Sequence, residues 1–225
     1  MIMSKVGPFE TIFFADAVLF DMDGTLTDSI SAVEAAWGLA LLSIQDSDNV
    51  MVEETVDGDA DENWRSTRTQ AQFDAWQIES CAVDRAVRVL PGVKKLMDSL
   101  PEGRYAVATS GAKTYAHRCM TRVGTTPPPV TITADDKRLK AGKPAPDPFF
   151  LAAKALGFAA HRCVVFEDSP SGIKAGVASG AIVIALCTSH ERSKIAKCGA
   201  HFVLDTMESV KVEVENGRLR FIVHQ

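Results

Sequence analysis

Apolar residues fall in short runs at Ala15–Phe20, Tyr105–Ala108, Val130–Thr133, Cys163–Phe166 and Ala181–Leu186. Each run is apolar on successive positions rather than alternate ones, as in a parallel strand covered on both faces. Stretches with helical spacing separate them, at Val93–Leu100, Lys113–Val123, Pro148–Leu156 and Ser171–Ser179. Strands alternating with helices predict βαβ units, and hence an α/β fold with a Rossmann-like parallel sheet at its core.

Two regions depart from that rhythm. Val210–Glu215 and Arg218–Val223 alternate apolar and polar positions on either side of Asn216-Gly217. Both turn residues tolerate positive φ, so the pattern predicts a C-terminal β-hairpin with a two-residue turn. Between Ser29 and Val89 the strand–helix alternation stops. Helical spacing runs through Ser31–Leu42 and Gln70–Val87. Between them Asp46, Asp48, Glu53, Glu54, Asp57, Asp59, Asp61 and Glu62 occur without one Lys or Arg. The expected organisation is a core of residues 1–29 and 89–225. A small, mostly helical cap, residues 30–88, is inserted after the first strand, short and unusually acidic. Trp37, Trp64 and Trp76 all fall in the insert and suit a small core of its own.

Composition narrows the function classes. A chain of 225 residues buries a full core, and 46% hydrophobic with 24% charged residues is ordinary for a soluble globular protein. The net charge of −5 favours neither nucleic acid nor an anionic membrane as a partner. No run approaches the roughly 18–20 apolar residues that span a bilayer, and the first residues lack a signal arrangement. Cys81, Cys119, Cys163, Cys187 and Cys198 show no paired spacing, which argues against a disulfide framework or a zinc site. His117, His161, His190, His201 and His224 form no ligand spacing either. A cytoplasmic monomer is expected.

Four segments that follow strand ends carry candidate chemistry, and open α/β sheets place their ligands at such ends. In Asp21-Met22-Asp23-Gly24-Thr25, two carboxylates close a buried strand. They need positive charge nearby, which a hard cation with oxygen ligands supplies, and Gly24 allows the turn that aims both acids at one point. The same pattern alone also serves as a helix cap and turn. Thr109-Ser110-Gly111 offers a hydroxyl and backbone N–H groups to an anion, although it is common turn chemistry too. Lys143 sits in Gly142-Lys143-Pro144-Ala145-Pro146, where the prolines restrict the backbone and hold the lysine stem in a defined direction. Glu167-Asp168 follows a buried strand and leads into a helix; Asp168 completes an oxygen shell for Mg²⁺ and Glu167 orients its neighbours.

In this order, Asp21-Met22-Asp23-Gly24-Thr25, Thr109, Lys143 and Glu167-Asp168 resemble the haloacid-dehalogenase-like hydrolases. Within them the resemblance is to fungal glycerol-phosphate and sugar-phosphate phosphatases. It implies a Mg²⁺-dependent phosphatase acting on a small phosphorylated metabolite. By that resemblance Asp21 is the nucleophile and forms an aspartyl-phosphate, and Asp23 is the general acid and base. Asp21, the Asp23 carbonyl and Asp168 hold Mg²⁺. Thr109, the Ser110 N–H and Lys143 hold the phosphoryl group, with Gly24, Thr25 and Glu167 in support. Dehalogenase chemistry has no use for a second acid two residues after the nucleophile, so Asp23 argues against it. A phosphosugar mutase shares every one of these core residues, and a non-catalytic regulatory protein that kept the core but not a working cap is the remaining alternative.

Overall fold

The structure is a computed structural model that describes residues 3–7, 10–29, 75, 77–79 and 87–225. The expected cap, its helices, its acidic run and its tryptophans lie almost wholly outside the described residues. Before it the chain forms β1 (Ser4–Gly7), β2 (Glu10–Ala15), β3 (Ala17–Phe20) and β4 (Thr27–Asp28). After it come β5 (Arg88–Val89), α1 (Val93–Asp98), β6 (Tyr105–Ala108), α2 (Lys113–Arg122), β7 (Thr131–Ile132) and α3 (Asp147–Ala155). The chain continues through β8 (Cys163–Glu167), α4 (Pro170–Ala178), β9 (Ile182–Leu186), α5 (Arg192–Ile195) and β10 (Phe202–Leu204), and ends in β11 (Val210–Glu215) and β12 (Arg218–His224).

Six strands form the expected parallel sheet in the order β10-β9-β8-β3-β6-β7. β3 and its neighbour β8 are buried at every position, so polar alternation is absent from them for a physical reason. Strand order reverses at β3: the chain runs outward through β6 and β7, then returns to β8 on the other side. That reversal opens a crevice at the carboxyl ends of β3, β6 and β8. One face of the sheet buries Leu19, Ala106, Val165 and Val183 under α3 and α4. The other buries Phe20, Val107 and Phe166 under α1 and α2.

The second sheet was only half expected. The hairpin β11–β12 forms as its sequence predicts, with Glu215 opposite Arg218 and Asn216 at φ 50° in the turn. β12 pairs further with β2, and β2 with β1, giving an antiparallel sheet of order β1-β2-β12-β11. Two strands therefore precede β3, and the run Ala15–Phe20 is divided between two sheets. The break is Asp16. Its buried carboxylate pairs with Arg162 and with Arg218, the latter at 3.4 Å. Arg104 donates to the Asp16 carbonyl at 2.9 Å and to the Gly217 carbonyl at 2.9 Å. A carboxylate paired with two guanidiniums, and a third guanidinium on the backbone carbonyl of the same residue, fix the place where the chain changes sheets.

Phe13 joins the two sheets. It is fully buried and stacks on Phe221 at 5.1 Å and on Phe202 of the parallel sheet at 5.6 Å. β4 and β5 pair antiparallel, Thr27 opposite Val89, so the chain leaves the core and returns to it side by side. No helix among the described residues is long and apolar enough to cross a membrane.

Phe13 lies far along β2 from the crevice, so Phe13→Ala should separate stability from chemistry. The expected loss is about 3–5 kcal/mol of unfolding free energy. Urea denaturation reads it, and kcat/KM of the folded fraction should stay within about threefold of wild type.

Candidate active site

Strand β3 ends at Asp21, whose N–H still donates to the Phe166 carbonyl at 3.0 Å and so continues the pairing with β8. The chain then turns sharply. The Met22 carbonyl accepts from the N–H groups of Thr25, Leu26 and Thr27 at 3.2, 2.8 and 3.0 Å, and the Met22 side chain is fully buried. A buried apolar residue between two acids anchors the loop, and leaves Asp21 and Asp23 on its outer side. Gly24 adopts φ +75°, and a Cβ there would fall 2.1 Å from Asp168 Oδ2. Only glycine allows both that backbone and that approach.

Asp21, Glu167 and Asp168 gather oxygens within 4.8 Å of one another, at the ends of adjacent strands β3 and β8. Lys143 enters between two of them. Its ammonium donates to Asp21 Oδ1 at 2.5 Å and Glu167 Oε1 at 2.7 Å, with the side chain only 3% exposed. It also lies 5.1 Å above the Phe149 ring, whose face attracts a cation. The peptide Lys143-Pro144 is cis.

Glu167 is saturated. Beyond Lys143 it accepts from the N–H groups of Asp168 and Ser169 at 2.9 Å each and from the Ser169 hydroxyl at 3.0 Å. Those bonds fit it for fixing Lys143 better than for holding a metal. Asp168 accepts from Thr25 Oγ1 at 3.1 Å and from Ser189 Oγ. Asp23 stands at the rim, half-buried, and accepts from Ser29 Oγ and from the Tyr115 hydroxyl at 2.7 Å.

Thr109 and Ser110 extend β6, whose Val107 lies opposite Phe20, so they border the end of Asp21's strand. The Thr109 hydroxyl is buried and accepts from Gly111 N–H at 3.0 Å, whereas Ser110 is exposed. The structure thus brings Asp21, Lys143, Glu167, Asp168 and Thr25 into direct contact, and sets Asp23, Thr109 and Ser110 around them.

Four contributors escaped the sequence: Ser29, Tyr115, Thr188 and Ser189. Thr188 donates to the Gly24 carbonyl and Ser189 to Asp168. Both follow β9, and the strand-end rule that picked out the other segments applies to them too. His190 reaches Ser189 Oγ through Nδ1 at 2.7 Å, and burial followed by Lys194 lowers its pKa.

Charge balance decides what the cluster binds. Burial raises the pKa of Asp21 far above the carboxylate range, Lys143 opposes it, and Glu167, Asp168 and Asp23 reinforce it. Burial, then the Glu167 charge, pushes Asp168 to about 7. Burial also raises Asp23, against the hydrogen bonds from Ser29 and Tyr115. Burial works against the Lys143 ammonium, but Asp21 and Glu167 overcome it and hold the pKa above its usual value. One ammonium is too little positive charge for these acids at neutral pH. A hard divalent cation fits the deficit, and Asp21 and Asp168 offer it oxygen donors.

The crevice at a strand-order reversal, with three acids and a lysine gathered in it, defines an α/β protein with a charged site at the carboxyl ends of its strands. The family described as haloacid dehalogenase-like hydrolase matches residues 15–180, and the chain belongs to it. Hexitol phosphatase A of Escherichia coli (strain K12) is 32% identical over 208 residues, covering 86% of this chain and 92% of its own. Glycerol-1-phosphate phosphohydrolase 2 of Saccharomyces cerevisiae is 29% identical over 234 residues, covering 92% and 90%. A hydrolase from Pseudomonas syringae of known structure shares the fold with a TM-score of 0.67 at 24% identity, over 85% of this chain and 93% of that one.

The raised Asp168 carboxyl ties stability to pH in the metal-free protein. An unfolded Asp titrates near ~3.9, so the group contributes stability that is full below that pH. The contribution is lost as pH rises through the folded value of about 7. EDTA-treated protein should therefore lose stability between about pH 4 and pH 7, by at most roughly 4 kcal/mol from this group. Urea denaturation across that window checks the sign, and Asp168→Asn should flatten the fall.

Proposed function

We propose that this hydrolase is a phosphoric monoester hydrolase that removes the phosphoryl group from a small polyol or sugar phosphate, with Mg²⁺ as cofactor. The carrying observation is the convergence of Asp21, Lys143 and Asp168 at the ends of β3 and β8, with Asp23 two residues beyond Asp21. The named activities of the relatives support the substrate class. Both are phosphatases aligned along most of this chain, which favours hydrolysis over mutase transfer.

Asp21 attacks phosphorus with a carboxylate oxygen, forming the acyl-phosphate bond as the bond to the alcohol oxygen breaks. Asp23 gives its proton to the departing alkoxide. Asp23 then takes a proton from the water that attacks phosphorus, the acyl-phosphate bond breaks, and Asp21 is regenerated with release of inorganic phosphate. Lys143 fixes the Asp21 carboxylate and offers charge to the transferring group, while Glu167 holds Lys143. Thr109 Oγ1 and the Ser110 N–H border the strand end where phosphoryl oxygens come to rest. Asp21, the Asp23 carbonyl and Asp168 would hold Mg²⁺, which when bound neutralises charge on the phosphoryl group. Residues 30–88 act as the cap that selects the substrate, because β4 and β5 carry the chain out and back beside Ser29, which holds Asp23.

Phosphate release from glycerol phosphate, hexitol phosphates and an aryl phosphate, with Mg²⁺ and with EDTA, tests the reading. Activity should need Mg²⁺ and favour one polyol or sugar phosphate. Asp21→Asn should lose at least ~10³-fold in kcat while its melting temperature shows a folded protein. Asp168→Ala should raise the Mg²⁺ needed for half-maximal activity at least ~10-fold. Undiminished turnover in EDTA, or in folded Asp21→Asn, refutes the mechanism.

A further inference from the structure

Tyr115 has no task in the steps above, yet it is built into them. It lies in the first turn of α2 with 0% exposure, and its hydroxyl donates to Asp23 Oδ1 at 2.7 Å. Ser29 Oγ donates to the same oxygen, and Thr27 Oγ1 backs Ser29 at 3.0 Å. Both hydrogen bonds that the Asp23 carboxylate accepts among the described residues therefore fall on Oδ1.

Two donors on one carboxylate oxygen have two effects. They fix the plane of the carboxyl group, and they lower the proton affinity of that oxygen relative to its partner. The transferable proton then resides on Oδ2. The ring itself has little freedom: a Cβ on Gly111 would come within 2.8 Å of Tyr115 Cδ1 and 3.2 Å of Cε1, so the backbone passes the ring with only hydrogen between them.

We propose that Tyr115 is a positioning residue for the acid–base step: by holding Asp23 Oδ1 from α2, it aims Oδ2 and its proton at the leaving-group oxygen. The inference rests on the reading of Asp23 as the general acid. It carries a consequence for substrate class. An alkoxide leaving group departs only with a proton, so esters of aliphatic alcohols depend on Tyr115. A nitrophenolate departs without one, so an aryl ester does not. A phenol that merely satisfies its buried hydroxyl on the nearest carboxylate would affect stability and leave that discrimination unchanged.

The test compares kcat/KM for glycerol phosphate and for p-nitrophenyl phosphate in wild type, Tyr115→Phe and Asp23→Asn, each with saturating Mg²⁺. kcat/KM ends at the first irreversible step, which contains leaving-group departure and excludes hydrolysis of the acyl-phosphate. Taking the ratio of the two substrates in one preparation cancels any unfolded fraction. Tyr115→Phe should lose about tenfold or more on glycerol phosphate and less than about threefold on p-nitrophenyl phosphate. Asp23→Asn should show the same selectivity, more strongly. Equal losses on both substrates in Tyr115→Phe, or no loss on either, overturn the positioning role. If Asp23→Asn itself fails to discriminate, the fault lies with the assignment of Asp23 as the acid.

Discussion

One ammonium stands among three carboxylates that lie within 4.8 Å of one another, and the site is organised around that imbalance. A buried carboxylate without a partner costs several kcal/mol, so Asp21 and Glu167 require Lys143 close at hand. Lys143 in turn requires the bend of the Gly142–Pro146 segment and a ring beneath it. The remaining oxygen of Glu167 is filled by two backbone N–H groups and a serine hydroxyl. What remains is negative charge near Asp168 that no described side chain neutralises, where the proposed cation is both a chemical and a structural partner. The requirement also fixes the fold locally: strands β3 and β8 must be adjacent and in register, Phe20 opposite Phe166, for their terminal acids to meet.

Legibility in the sequence followed the range of the interactions. β6, β8, β9 and the helices between them were plain because burial on both faces writes itself into consecutive residues. The hairpin was plain because Asn216-Gly217 states its own turn. Asp16 was hidden inside an otherwise apolar run, and its meaning depends on Arg104, Arg162 and Arg218, which are remote in sequence. The alternation in Glu10–Ala15 marks a half-buried strand, but its partner is β12, and no local pattern announces so distant a pairing. In the site, the acids stood out because charge at the end of a buried strand is anomalous. Ser189 and Tyr115 did not, since a serine in a turn and an aromatic on a helix are commonplace until tertiary contacts give them Asp168 and Asp23.

The two sheets divide the labour. The parallel sheet carries the reactive groups on its carboxyl ends. The antiparallel sheet covers the half of one face near β9 and β10, through Phe13, Phe202 and Phe221, where a helix would otherwise lie. Asp16 and its arginines sit where the chain passes from β2 into β3, at the opposite end of β3 from Asp21.

The pairing of β2 with β12 sets Thr11 against Val223, nearly the full described chain apart. On the ribosome β2 emerges early and waits for its neighbour through the synthesis of the whole parallel sheet. During that interval Ile12, Phe13 and Phe14 present an uncovered strand edge, open to pairing with other nascent chains. β12, made long after β2, is thus the strand that covers that edge. Products of this chain stalled before β12 should accordingly be recognised by chaperones through β2, whatever the state of the catalytic groups.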